Sequence, residues 1–554
     1  MNDKYQDFLS KLQNANESER DWFVMEFSLQ NLSETLRQAV WAAAVPHWFD
    51  QDFLNAVLAN PLKDSDFQVL TELSFVEVYP ERGFNVHERS RNLLLTQLWA
   101  TNKTRYQKLS KRAAAYCKKQ DQNIAAWRVE TLYHGLLASN STAKDDFIKQ
   151  SVDWHNRFQF DNLENLTKVV LEAVGSGKLI GDVAAWAAFW HAQLDNYYSR
   201  YSSAQDFLRQ ALNQTANNLL VANCIYSLGE AYRYLSKYDQ ARDSYQQALP
   251  IFRKIKSRLS EANCILALGQ VHLALAEYGQ ARERYREALP IFQEVKSHLG
   301  EANCIIGLGD VHCSLAEYDQ AHDRYQQALL IYQRIKNSLV EANCIHKLGC
   351  LYSAQQQTEL AIVTLQQAAQ LYEVIGNKHS KGHCFNSLAT LYQRQKQFTS
   401  ALSAYNQAIE IFPNDTGWYQ NRADLYIKMD DYEKAETDIK QTETISADPV
   451  YTLLRKAELA LWQQQTPQAI EFCQQALEQR PADGNFRSFF ALTLLANGQT
   501  QAAYTEMEQA LTAIYQQHDF DELLDYLNKL AKIYGHSADV DGLRELILKR
   551  CQKD

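Results

Sequence analysis

Four copies of one phrase stand in register in this chain. Ala222-Asn223-Cys224-Ile225 recurs at Ala262-Asn263-Cys264-Ile265, Ala302-Asn303-Cys304-Ile305 and Ala342-Asn343-Cys344-Ile345, always at the same interval. A chain that repeats itself at a fixed interval folds as stacked copies of one supersecondary unit, because each copy can bury its apolar surface only against its neighbours. Such an architecture works through an extended surface rather than one enclosed pocket. Gly (19) and Pro (9) are scarce while Tyr (30), Ala, Leu and Gln abound, so the stacked unit is helical rather than sheet-forming or disordered. Five cysteines (Cys224, Cys264, Cys304, Cys344 and Cys384) hold one repeat position and read as small buried residues, which suits a reducing cytoplasm.

The copy from Ala222 to Glu261 shows how the unit is built. Ile225, Leu228, Tyr232 and Leu235 follow helical spacing. Tyr238-Asp239-Gln240-Ala241 turns and restarts the chain. Ala241, Tyr245, Ala248, Phe252 and Ile255 then describe a second helix. Small residues at Gly229, Ala241 and Ala248 allow the two helices to approach closely. Leu268-Gly269, Tyr278, Ala281, Tyr285 and Ala288 repeat the scheme, as do Leu308-Gly309, Tyr318, Ala321, Tyr325 and Ala328. Two looser copies follow. After Pro413 the period shortens to 34, with Phe398 leading to Tyr432 and Ala401 to Ala435, then Ala469. A degenerate earlier copy carries Tyr201, Ala204, Phe207 and Ala211.

A Leu-Gly pair, an aromatic, then Ala, aromatic and Ala at fixed offsets resembles the tetratricopeptide repeat (TPR) family over about residues 184–515. The 40-residue copies are similar to the long-helix variety of kinesin-light-chain-like and signalling proteins. The resemblance implies an all-α fold: a right-handed superhelical solenoid of helix pairs with a concave groove that takes a protein or peptide. The expected division is a helical amino terminus and winged-helix-like domain at 1–100, irregular helical repeats at 101–183, the solenoid at 184–515 and a charged helical cap at 516–554. In the irregular stretch Trp127, Tyr133, Trp154, Phe158 and Phe160 are the expected core.

Residues 20–100 read differently. Leu32-Ser33-Glu34 fits a helix N-cap. Phe49-Asp50 opens a second helix through Leu58, and a short third helix spans Phe67 to Leu73. Phe75-Val76-Glu77-Val78-Tyr79 alternates like a strand, Pro80-Glu81-Arg82-Gly83 turns, and Phe84-Asn85-Val86-His87 returns before a long helix from Glu88. Three helices and a hairpin make a winged-helix arrangement. Through Leu29-Gln30-Asn31-Leu32-Ser33, Phe49-Asp50 and Phe84-Asn85-Val86-His87-Glu88-Arg89 it resembles the module of the STAND signalling NTPases, the class of MalT-like regulators. In that class the module precedes a TPR-type sensor, and the histidine matched by His87 senses bound nucleotide. Only the short stretch from Met1 to Arg20 precedes the module here, so the class's nucleotide-binding core is not expected in this chain. His87 is then expected to bridge the hairpin and the next helix.

Other motifs carry no chemistry. Gly175-Ser176-Gly177-Lys178 lacks the first glycine and the final Ser or Thr of a phosphate loop, where Glu172 and Leu179 stand, and reads as an inter-helix turn. Cys344, His346 and Cys350 share one helix at spacings that do not converge on a metal. The third helix of the winged arrangement holds no Lys or Arg, and the formal net charge is −10, so nucleic acid is not an expected partner. Met1-Asn2-Asp3-Lys4 opens a polar stretch, so no signal peptide is expected, and no apolar run is long enough to span a membrane. No catalytic constellation, cofactor site or metal site stands out, and an enzyme has no supporting motif.

The surface of the first helix of each pair is the candidate binding face. With Ile225, Leu228, Tyr232 and Leu235 placed inward, Asn223, Tyr226, Glu230 and Arg233 fall on the opposite side. Their counterparts include Asn263, Gln270, Asn303, Asp310, Asn343 and His346. The four asparagines form a ladder of amides, each both donor and acceptor. Three readings stand open for it: contact with the backbone of an extended peptide, bracing of the repeats, or inheritance by duplication. The expected function is a cytoplasmic, bacterial, peptide- or protein-binding adaptor. The alternative is a truncated STAND-like regulatory subunit controlling a separate effector, an NTPase or protease in defence signalling, through its winged-helix module.

Overall fold

A computed structural model describes residues 8, 10–13, 15–445, 450–481, 483–512, 517–535 and 538–551. Met1–Lys4 and the boundary expected at 515/516 lie outside the described residues. The chain divides into two compact units, Met1–Val295 and Lys296–Asp554. Apart from one β-hairpin the described elements are helices.

The first unit opens with α1 (Glu17–Gln30), α2 (Glu34–Ala43), α3 (Gln51–Val57) and α4 (Asp64–Thr71), followed by β1 (Val76–Tyr79) and β2 (Gly83–Val86). Ser33 caps α2 by accepting from the Leu36 amide at 3.3 Å, and Asp50 caps α3 by accepting from Phe53 at 2.7 Å. The strands pair antiparallel with Val76 opposite Val86 and Tyr79 opposite Gly83. Phe49, between α2 and α3, exchanges two backbone hydrogen bonds with Phe84 at 2.7 and 2.8 Å. That third extended segment completes the winged-helix order. It also explains Gly83, whose φ is +97°: a Cβ there would meet the Phe49 carbonyl oxygen at 2.5 Å. His87 links hairpin and helix through its backbone, donating to the Phe75 carbonyl at 2.8 Å and accepting from Arg91 at 2.9 Å, with its side chain exposed.

A 30-residue helix, α5 (Glu88–Cys117), carries a break at Asn102, whose side chain recaps the second half by accepting from Arg105 at 2.9 Å. Then come α6 (Ala125–Leu137), α7 (Ala143–Asn156), α8 (Phe160–Gly175), α9 (Asp182–Tyr197) and α10 (Tyr201–Leu212). Gly175–Lys178 is the turn that ends α8. One contiguous core runs from Met25 to Cys224. Phe158 departs from expectation. Its φ is +57° in the turn before α8, and this left-handed backbone leaves the side chain 76% exposed, edge-on to Phe160.

The repeats of this unit continue as α11 (Asn218–Tyr234), α12 (Tyr238–Lys254), α13 (Arg258–Ala274) and α14 (Tyr278–Glu294). Each α11-type helix packs against both the helix before it and its own partner. It therefore buries two stripes, and the small residues take the closest one. Ala222, Cys224, Ser227, Gly229 and Ala231 are buried, whereas Ile225, Leu228 and Tyr232 are half-buried and Leu235 is 39% exposed. The inward face expected from Ile225, Leu228, Tyr232 and Leu235 is thus only partly buried in α11, whereas its counterparts Ile265, Leu268 and His272 are buried in α13. The turn after each of α11, α12 and α13 rests on a left-handed residue, Ser236, Lys256 and Ala276, with φ of 56–57°. These non-glycine residues stand where helices often end on Gly.

The second unit holds α15 (His298–Ser314), α16 (Tyr318–Arg334), α17 (Ser338–Ala354), α18 (Thr358–Ile375), α19 (Lys378–Arg394) and α20 (Phe398–Ile411), in the 40-residue period. Shorter pairs follow: α21 (Thr416–Lys428), α22 (Tyr432–Ile445), α23 (Val450–Trp462), α24 (Thr466–Gln479), α25 (Gly484–Ala496) and α26 (Thr500–Leu511). The last helices are α27 (Gln517–Tyr534) and α28 (Ala538–Cys551). A second core joins Ala423 to Ile547, so the final helices pack on the last repeats.

Candidate functional site

Within one repeat, the tyrosine of the second helix decides the chemistry of the first. The Tyr245 ring lies against Gly229, and its hydroxyl donates to Glu230. Glu230 also accepts from Arg233 at 2.8 Å, and Arg233 stands 4.4 Å over the Tyr234 ring. Burial and then the Glu230 charge push the Tyr245 phenol far above its usual range. Burial alone would lower the Arg233 guanidinium, but its bonds to Glu230 raise it instead. Glu230 and Arg233 are therefore a mutually neutralised pair. Tyr226 is half-buried, its ring 5.5 Å from Tyr245 and 6.5 Å from Phe252.

The same device recurs in the second unit. Tyr325 donates to Asp310 at 2.7 Å, and Lys347 of the next repeat reaches the same carboxylate at 2.8 and 3.0 Å. Burial would lower the Lys347 ammonium, yet Asp310 keeps it above its usual value. His346 meets Ser387 Oγ at 3.4 Å and Cys350 Sγ at 3.8 Å. Burial pulls its imidazole down to about 4, with the His383 and Lys347 charges acting in the same direction, so it is neutral at pH 7. Cys344 is turned the other way, its thiol donating to the Tyr325 carbonyl at 3.2 Å in the core.

The asparagine row is not uniform. Asn303 Oδ1 accepts from Tyr332 at 2.7 Å, and Asn343 Oδ1 accepts from Tyr372 at 2.6 Å. At the equivalent offset from Asn223 and Asn263 the chain has Phe252 and Phe292, which carry no hydroxyl. Asn223 and Asn263 are half-buried, and among the described residues their side chains have no hydrogen-bond partner. Gln270, on the same helix as Asn263, is exposed.

The sequence reading passed over one cluster. His379, His383 and Asp415 place a donor atom each within 4.8 Å of one another. The i,i+4 histidines were a visible signal, but Asp415 lies beyond the whole of α20 in the chain and only packing brings it there. Among the described residues, no helix is long and apolar enough to cross a membrane.

One family model described as tetratricopeptide repeat matches residues 183–254, 261–334, 301–373 and 341–414, and a second matches 419–448. The chain matches no curated protein significantly. Among solved structures it is similar to a Signal Transduction ATPase with Numerous Domains (STAND) protein with a tetratricopeptide repeat sensor from Pyrococcus horikoshii. That similarity has 14% identity and a TM-score of 0.44, over 76% of this chain and 64% of that one. The chain thus spans slightly under two thirds of that protein's length. It is also similar to a Rap protein complexed with competence and sporulation factor, at 14% identity and a TM-score of 0.46, over 71% of this chain and 99% of that one. Aspartyl phosphate phosphatase F from Bacillus subtilis aligns at 14% identity and a TM-score of 0.40, over 69% and 94% of the two chains. Through residues 183–448 the chain is built of tetratricopeptide repeats.

Proposed function

We propose that the chain is a binding scaffold whose first unit takes an extended peptide segment of another protein on the face of α11 and α13. The observation that carries this reading is the pair of unpartnered amides at Asn223 and Asn263, beside exposed Gln270. Neither amide is among the buried polar atoms, so both reach solvent and can exchange water for a ligand's hydrogen bonds. A primary amide offers both a donor and an acceptor, which matches the alternating N–H and C=O groups of an extended backbone. The neutralised Glu230–Arg233 pair and the Tyr226 ring add a surface suited to apolar and weakly polar side chains. In the second unit Asn303 and Asn343 serve as braces, and Asp310 and His346 are engaged internally. This reading makes the chain a binder rather than an enzyme. The free cysteines among the described residues suit a reducing compartment, the cytoplasm.

The test is selection of peptides from a random display library on the whole chain, followed by fluorescence polarisation with the selected peptide. Asn223→Ala/Asn263→Ala should weaken binding about tenfold or more, equivalent to the loss of one or two hydrogen bonds. Asn303→Ala/Asn343→Ala should change affinity less than about twofold while lowering thermal stability. Equal affinity for all three proteins would reject the face.

A second reading rests on a different place. Between α1 and α5 of the winged-helix region lies an open cleft of about 490 Å³ whose apolar floor of Trp22, Phe23 and Leu93 is rimmed by Glu19, Arg89 and Gln97. A regulatory subunit acting on a separate effector would use such a cleft for its partner. Trp22→Ala abolishing effector binding, with the Asn223/Asn263 variant unaffected, would favour this reading over the first.

A further inference from the structure

We infer that His379, His383 and Asp415 bind one divalent transition-metal ion of the zinc type, at the joint where the 40-residue repeats give way to the 34-residue ones. His379 and His383 lie one turn apart on the same face of α19. Their rings are 4.5 Å apart and nearly perpendicular. Asp415 is the N-cap of α21 and uses its two oxygens differently. Oδ1 accepts from the Gly417 and Trp418 amides at 3.0 and 3.4 Å, while Oδ2 stands 3.6 Å from His379 Nε2. The capping bonds therefore aim the second oxygen at the histidines, as outer-shell bonds orient a metal-ligating carboxylate.

Aromatic side chains flank the two rings without enclosing them, and the His379 side chain is 50% exposed and free to turn. Trp418 is buried, lies directly on Gly382 between the two histidines, and meets His383 edge-on at 5.4 Å and His379 at 6.0 Å. Phe412 closes on His379 from another side at 4.8 Å. His383 is half-buried and its ring nitrogens are not among the buried polar atoms, so they reach solvent and a nitrogen lone pair is open to a metal. The three donor atoms lie within 4.8 Å of one another. Zinc bonds of about 2.0–2.2 Å in a tetrahedron bring donors to about 3.3 Å, a change that ring rotation can supply. Two imidazoles and a carboxylate suit zinc, nickel or copper rather than magnesium, and leave further positions to water. The ion would tie α19, the last first-helix of the long repeats, to α21, the opening helix of the short ones.

The test uses the full chain freed of metal with chelator, then titrated with zinc chloride or magnesium chloride by isothermal calorimetry. Metal content after gel filtration gives the stoichiometry. Wild type should take up one zinc per chain and no magnesium, and its melting temperature should rise with zinc. His379→Ala/His383→Ala should lose that equivalent, with an unchanged far-ultraviolet circular dichroism spectrum. Asp415→Asn keeps an N-cap oxygen and so keeps the helix start; it should weaken zinc about tenfold or more. His346→Ala, which removes the neighbouring imidazole, should bind as wild type does. No zinc uptake by wild type, undiminished uptake by the double variant, or unchanged affinity in Asp415→Asn would each overturn the site.

Discussion

The Tyr332 hydroxyl donates a hydrogen bond of 2.7 Å to Oδ1 of Asn303. One repeat earlier the same offset pairs Asn263 with Phe292. A single oxygen atom thus separates an amide used as a brace from one left available. Tyr332→Phe should cost about 1 kcal/mol in urea denaturation. Phe292→Tyr should add a comparable bond to Asn263 and lower affinity for the selected peptide. Unchanged affinity in Phe292→Tyr would remove Asn263 from the binding face.

Gly269 sets the spacing of α13 and α14. A Cβ there would lie 2.7 Å from Cε1 and 2.9 Å from Cδ1 of Tyr285, a ring that is 1% exposed. Overpacking costs about 1–3 kcal/mol, and the gain in helix propensity from Gly to Ala returns about 1 kcal/mol. Gly269→Ala should therefore lower stability by about 1 kcal/mol. A denaturation midpoint equal to or above that of wild type would show that the ring moves aside freely.

A buried acid–base cluster predicts how the first unit responds to pH. Glu130 accepts from His47 Nδ1 at 2.6 Å and from His134 Nε2 at 3.1 Å. Burial alone would raise the Glu130 carboxyl, but the His47 charge and the bonds from both histidines hold it well below its usual range. Burial lowers His134, opposed in part by Glu130 and reinforced by the His47 and Arg91 charges. Tyr133 and Tyr106 also face Arg91. Both shifts have one sign. As pH falls below about 6.5 the unfolded chain protonates His134 where the folded chain resists, and below about 4.5 the same holds for Glu130. Stability should decline through this window, and the slope between about pH 6.5 and 5 should be shallower in His134→Gln. Identical slopes would assign the acid sensitivity elsewhere.

In the second unit Arg455 serves two buried carboxylates. It reaches Asp424 at 3.1 Å and also bonds Glu458, which in turn accepts from Tyr526. Asp424 and Glu458 are 6% and 1% exposed. Lys428 at 3.0 Å and Gln393 at 2.6 Å stay on Asp424 when Arg455 is removed, so the buried charge stranded is that of Glu458, at about 3 kcal/mol. Arg455→Met should destabilise by about that amount in chemical denaturation, and Arg455→Lys by less. A loss below about 1 kcal/mol in Arg455→Met would mean the carboxylates find other partners or protons.

The helix pairs, their period and the change of period after Pro413 were legible in the sequence because every copy must meet the same neighbour. Residues such as Gly269, Cys264 and Ala281 repeat for that reason. The hairpin was legible from strict alternation around Pro80–Gly83. The inward face of α11 was not. Helical periodicity assumes one buried stripe, whereas a helix stacked between two others buries two, and small residues take the tighter one. The fate of the asparagines was half visible, since the change from Phe252 and Phe292 to Tyr332 and Tyr372 is written in the chain.

The sequence by itself determined the repeat unit, its helical nature and its identity as tetratricopeptide, because these follow from local spacing multiplied by duplication. Only the tertiary structure decided which polar groups are consumed and which are left over. Tyr332 meets Asn303, Lys347 meets Asp310, and Asp415 meets His379 through packing between elements far apart in the chain. Such meetings depend on helix rotation and side-chain reach, which the spacing of apolar residues along one helix does not encode.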